Sequence, residues 1–163
     1  MIRALVVVAL FLPAALMGCG GENGATTFLV TLQNVSAPGD LSTSDGGATD
    51  VVFAPGVWAV FDAGGALFTE GAMASEGIHA VAEDGNNLPL VATAEDLPLA
   101  VRAGTFGQVD EGTSYEENPI GPGVSVELVV TAAPGQVLSL ASMFVQSNDI
   151  FIAPIEGALQ LFD

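Results

Sequence analysis

The sequence predicts an all-β fold, an antiparallel β-sandwich with one short inserted helix. Three observations predict it. Phe28–Val35 and Val124–Ala132 alternate apolar and polar residues with the period of two that marks half-buried strands. Gln136–Gln146 is apolar on both faces, as a central strand of a sandwich core is. Only Ser75–Asp84 carries both start and stop signals for a helix.

The first segment reads as a targeting signal rather than as part of the fold. Arg3 is followed by thirteen apolar residues, Ala4–Leu16, too short for a membrane span of about 20 residues but suited to a signal-peptide core. Pro13 also argues against a continuous buried helix. Leu16-Met17-Gly18-Cys19 then resembles a bacterial lipobox, with Met17 a less usual occupant of its position. Cys19 is the sole cysteine, so no intrachain disulfide can form, and lipidation accounts for both its presence and its place. The expected organisation is a lipoprotein signal peptide over residues 1–18, a glycine-rich tether over 19–25, and a folded domain over 26–163. Gly20 rather than Asp follows Cys19, so the usual inner-membrane retention signal is missing. The outer membrane or cell surface is therefore the expected location.

Within the domain, Phe28, Val30 and Leu32 face one way and Thr27, Thr31 and Gln33 the other. Ser36–Asp50 has loop composition, and a strand around Val57–Phe61 offers Trp58 as a core anchor. Ser75 is the expected N-cap of the helix, with Glu76 in its first turn and Gly85 as its stop; Gly77 weakens it by about 1 kcal/mol relative to alanine. Residues 86–123 have weak periodicity, with Leu88–Ala94 supporting a turn or two of helix. Val124, Val126, Leu128 and Val130 form the apolar face of the next strand; Ala132–Gly135 is a turn, and Ala158–Asp163 ends the chain with a short strand.

Charge narrows the partners. Nineteen acids stand against two arginines and no lysine, and loss of Arg3 with the signal peptide would leave one arginine against 19 acids, a formal charge of −18. Such a surface repels nucleic acid and cannot bind anionic lipid through a basic patch. Cations, basic partners or a salty medium suit it. The chemistry available is equally restricted. His79 is the single histidine, too few for a zinc site or a Cys-His pair, and its helix neighbours Glu76 and Glu83 suggest a solvent-facing residue. Neither a GxxxxGK(S/T) loop nor a GxGxxG turn is present, so the expectation is a protein that is not an enzyme. Oxygen ligands for calcium are abundant, and Asn148-Asp149 at the end of a strong strand is a suitable position.

Several stretches read together resemble a bacterial spondin domain: FLVTLQNVS, FAPGVWAV, LFTEGAMASEGIHAVAEDGN, ELVVTAAPGQVLSLASMFVQSNDIFIAP and ALQLFD, spanning roughly residues 26–163. The family also includes the spondin domains of F-spondin and mindin. The resemblance implies a C2-like β-sandwich, extracellular or surface-attached, adhesive in its animal members and calcium-binding there. The family's Ser-Pro-Asp motif is matched by Ser147-Asn148-Asp149, which makes Asp149 the implied calcium ligand, and Glu127 corresponds to an acid on the preceding strand. The family continues into an Asp-Ala-Gly-Thr-Asp/Glu motif, whereas this sequence stops at Asp163 and its Asp62–Gly65 DAGG lies upstream. That leaves either a C-terminally truncated domain or a weakened or lost cation site. The expected function is a lipid-anchored envelope or surface domain with an adhesion or recognition role toward a protein or matrix partner, with calcium as its cofactor. The alternative is a structural acidic envelope lipoprotein that binds no metal.

Overall fold

The computed structural model describes residues 8–10, 24–107 and 119–162. The two alternating stretches become β2 (Thr26–Gln33) and β7 (Ser125–Ala132), paired antiparallel from Thr26↔Ala132 to Gln33↔Ser125. Phe28 and Val30 from one and Leu128, Val130 and Ala132 from the other point into the core. Between them Leu29 and Val129 are exposed and Thr131 is half-buried, as a strand with one wet face requires. A short strand β1 (Val8–Leu10) runs antiparallel to β2 across Val30–Leu32 and completes this sheet. It lies inside the apolar stretch read as a signal-peptide core; the rest of that stretch, and Cys19, lie outside the described residues.

The second sheet is wider. Its strands are β5 (Gly56–Phe61), β6 (Ala100–Phe106), β8 (Val137–Met143), β9 (Phe151–Ile152) and β10 (Leu159–Gln160), in the order β10-β8-β5-β6 with β9 also paired to β8. All of its pairings are antiparallel. A small separate hairpin, β3 (Leu41–Ser42) with β4 (Ala48–Thr49), decorates the loop after β2. The fold is therefore all-β and sandwich-like, with a small helical insertion. That insertion comprises two helices rather than one, α1 (Glu76–Asp84) and α2 (Leu88–Ala94).

Those helices explain the doubly apolar strand. Val60, Leu138 and Leu140 face the first sheet, while Val57, Ala59, Phe61, Val137 and Ala141 face Ile78, Val81, Leu90 and Ala94 of the helices. The central strands are thus covered on both sides, and all seven residues of β8 are buried. Two of the seven are serines, and both are paired. The Ser139 hydroxyl donates to the Gly157 carbonyl (2.6 Å) and accepts from the Leu67 amide, and the Ser142 hydroxyl donates to the Ala54 carbonyl.

The capping of α1 follows its sequence signals. The Ser75 hydroxyl accepts from the Ile78 amide, and Gly85 closes the helix at φ 64° with its N–H directed to Ala80 and Val81. Trp58 differs from expectation. It is half-buried rather than a central anchor, because its indole lies across the next strand and donates to the Thr105 carbonyl at 3.2 Å. Gly104, its cross-strand partner, makes room: a Cβ there would stand 2.7 Å from the indole ring.

Gly77 has a packing role that outweighs its poor propensity. It is buried where α1 crosses α2, and a Cβ would meet the Leu90 Cα at 2.8 Å. Gly77→Ala gains about 1 kcal/mol in helix propensity but incurs about 1–3 kcal/mol from overpacking against backbone. The expected outcome is net destabilisation with α1 displaced from α2, measured by urea unfolding; an unchanged or raised midpoint would contradict this packing.

Candidate functional site

Three connections converge at one end of the sandwich, and a single side chain ties two of them. Asn34, only 3% exposed, follows β2 directly. Its Nδ2 donates to the Val51 carbonyl (2.9 Å) and the Ile120 carbonyl (2.8 Å), while its Oδ1 accepts from the amide and hydroxyl of Ser36. Its own backbone is held by Val124 and Gly123. All four side-chain hydrogen-bond positions of the amide are therefore used.

The third connection is the turn after β8. Phe53 bridges Ile120 on one side and Phe144 on the other. The Val145 amide donates to the Val52 carbonyl, and the Gln146 side chain accepts from the Val52 amide at 3.0 Å. Here the polar break in the apolar run finds its local cause. The chain reverses from β8 into β9, with the Phe144 amide donating to the Ile150 carbonyl (2.9 Å). Ser147 holds the reversal through a hydroxyl that donates to Phe144 and accepts from the Ile150 amide. Asn148 and Asp149 sit exposed at its tip.

The loop acids also make turns. Asp40 accepts from the Ala37 amide (2.7 Å) and Asp50 from the Gly39 amide (2.8 Å). Asp45 accepts from the Thr43 hydroxyl and from the Gly47 amide between β3 and β4. The Thr43 hydrogen bond, with the Gly47 amide second, holds the Asp45 carboxyl below its ordinary range. These are rigid, self-braced loops on a sheet scaffold, the usual setting for a recognition surface.

The predicted calcium ligands occupy different elements. Glu127 lies on the solvent face of β7, opposite Thr31 of β2, whereas Asp149 lies in the β8–β9 turn. Among the described residues, no three His, Cys, Asp or Glu side chains form a group that could hold a metal ion. His79 is exposed on α1 and pairs with Glu83 one turn on, Nε2 to Oε1 at 3.0 Å. Among the described residues, no helix is long and apolar enough to cross a membrane. Sequence reasoning passed over Asn34, and its signal was present: an amide directly after an alternating strand and before a loop of turn-forming residues. Significant matches are absent from all three comparisons, with protein-family models, with curated proteins and with solved structures.

Two outcomes follow from this geometry. Asn34→Ala strands the Val51 carbonyl and leaves the Ile120 carbonyl with the Phe53 amide alone, and should cost about 1–3 kcal/mol, a fall in Tm of several degrees in thermal unfolding. A change of only a degree or two would show that the loops hold without it. Asp45 has a lowered carboxyl pKa in the folded state, so its contribution is present above the unfolded carboxylate range and is lost as pH falls through the folded value. Acid titration below about pH 4 should accordingly release the Gly47 amide, seen as a shift of its NMR signal, and Asp45→Asn should abolish that titration step.

Proposed function

We propose that the chain is a lipid-anchored, non-enzymatic domain of the bacterial cell envelope or surface that recognises a protein or matrix partner through its loop-bearing end. The observation that carries this reading is the junction in which Asn34 joins the loop after β2 to the Ile120 segment while Val52 and Phe53 join it to the turn after β8, with Asp40, Asp45, Asp50 and Asp149 at exposed positions. A preformed acidic surface selects basic or cation-bearing partners and accelerates their encounter. The lipobox-like Leu16–Cys19 and the glycine-rich tether support the anchorage, and the spondin-like stretches support the adhesive role.

Calcium enters through Asp149 and Glu127. Calcium prefers six to eight oxygen ligands, and these two carboxylates stand on different elements, so calcium held by either alone would be weak. A second reading, a structural acidic envelope lipoprotein without metal binding, draws on the placement of those two acids on different elements.

Two measurements test these readings. Metabolic labelling with a radioactive fatty acid should mark the wild-type chain and not Cys19→Ser; labelling of both would overturn Cys19 as the attachment point, and labelling of neither would remove the anchor. Thermal unfolding in chelator, in millimolar calcium and in sodium chloride of matched ionic strength should show an extra rise in calcium. That rise should be lost in the Glu127→Gln/Asp149→Asn double variant. Equal effects of the two salts would leave the structural reading standing.

A further inference from the structure

Beside the Asn34 junction the two sheets do not close on each other. They leave an open-mouthed cavity of about 370 Å³ whose walls include Leu32, Phe53, Phe106, Leu140, Ile152 and Leu159. Three polar side chains reach its lining, Gln33, Asn34 and Ser142. Asn34 and Ser142 are committed to backbone and to Ser36, and Gln33 is exposed at the end of β2. Among the described residues, no buried side-chain nitrogen or oxygen lacks a partner. Among the described residues of the lining, the exposed Gln33 amide is the one polar side chain left to a ligand.

These features define the chemistry of an occupant. A mostly apolar lining favours an apolar guest, which releases the water it displaces to bulk. A cavity of about 150 Å³ holds benzene, so by proportion this one takes about fifteen non-hydrogen atoms. Its volume falls in the range of small-molecule sites. An anionic head group finds no cation: Arg102 stands on β6 outside the lining, and Glu156 flanks the rim. The rim itself is apolar. Pro154 and Ile155 line the mouth, and Ile155 is 91% exposed, so an apolar chain entering there meets an apolar rim.

We propose that this cavity is a binding site for a neutral, largely apolar small molecule the size of a medium alkyl chain. The site shares Asn34 with the loop junction but contains none of the exposed acids, so binding of an apolar ligand is tested separately from the adhesive reading.

The test is photo-cross-linking of the full chain in phosphatidylcholine vesicles with a diazirine-bearing ten-carbon alcohol, followed by peptide mapping. Saturable labelling is expected on the segments that carry Phe106, Leu140 and Ile152–Leu159. Excess unlabelled 1-decanol should displace it, and the matching carboxylate probe at pH 8 should label at least about tenfold less. Ala153→Trp, which fills the mouth from a half-buried position, should weaken labelling by a similar factor. Displacement by 1-decanol in the wild-type chain reads the site whether or not that variant folds. Labelling that does not saturate, or that maps to the outer faces of the sheets, would overturn the site. Equal labelling by the carboxylate would overturn its preference for a neutral ligand.

Discussion

Burial of β5 and β8 on both faces is the constraint from which the rest of the structure follows. A strand buried on one side can turn its polar residues to water, but β8 has no such side, so each polar group it carries must be matched in place. Ser139 and Ser142 are matched by the Gly157 and Ala54 carbonyls, which fixes the segments before β5 and after β9 against the sheet. The helices exist to cover the second face. Their own packing then depends on the small residues that let them close, Gly77 against Leu90 above all. One burial requirement thus links the position of the helices, the course of the C-terminal segment and the entry into β5.

The acidic surface has to be reconciled with that core. A formal charge of −17 over 163 residues favours expansion through self-repulsion, particularly at low salt. The fold places several carboxylates where they also serve the backbone. Asp40, Asp45 and Asp50 each accept an amide hydrogen from a turn, so part of the charge cost is offset by loop order. Carboxylates used in this way are acceptors already engaged, and a cation would have to share them. The acidity is therefore better suited to long-range selection of partners than to tight coordination of one ion.

The elements read from periodicity and capping were the ones whose causes are local. Strands β2, β5, β7 and β8, helix α1 with Ser75 and Gly85, and the short α2 all carry their patterns within a few residues. β6 lay hidden in a segment of weak periodicity because its outer residues, Val101 and Arg102, are exposed and its pairing with β5 supplies the order. β8 was legible as central, but the reason was not: an apolar second face signals a covering layer without saying whether that layer is sheet or helix. Ser147-Asn148-Asp149 shows the same limit at the site. The three residues form a turn, which composition predicts, while the convergence of that turn with Val51–Phe53 and Ile120 depends on contacts far apart in sequence. Asn34 is the sharpest case, since one amide joins positions 17 and 86 residues away.

The cavity and the loop junction have a common origin in the unequal width of the sheets. The first sheet holds β2 and β7, with β1 beside them only while residues 1–18 remain attached, whereas the second extends through β10, β8, β5 and β6 with β9 at its end. A narrow sheet laid on a wide one leaves a gap over part of the wide one's inner face, here lined by Phe106 and Leu140, both of them still buried from solvent. Connecting segments must then serve as walls, and irregular backbone can do so only if its own polar groups are paired. Asn34 meets that need on one side of the opening by taking up two carbonyls at once. On the other side, Ile152–Ile155 spans the gap without filling it, which leaves the space open at the rim where Ile155 meets water. Removing the amide at Asn34 would therefore act on both features together: it would loosen the loops and deprive the cavity of its wall.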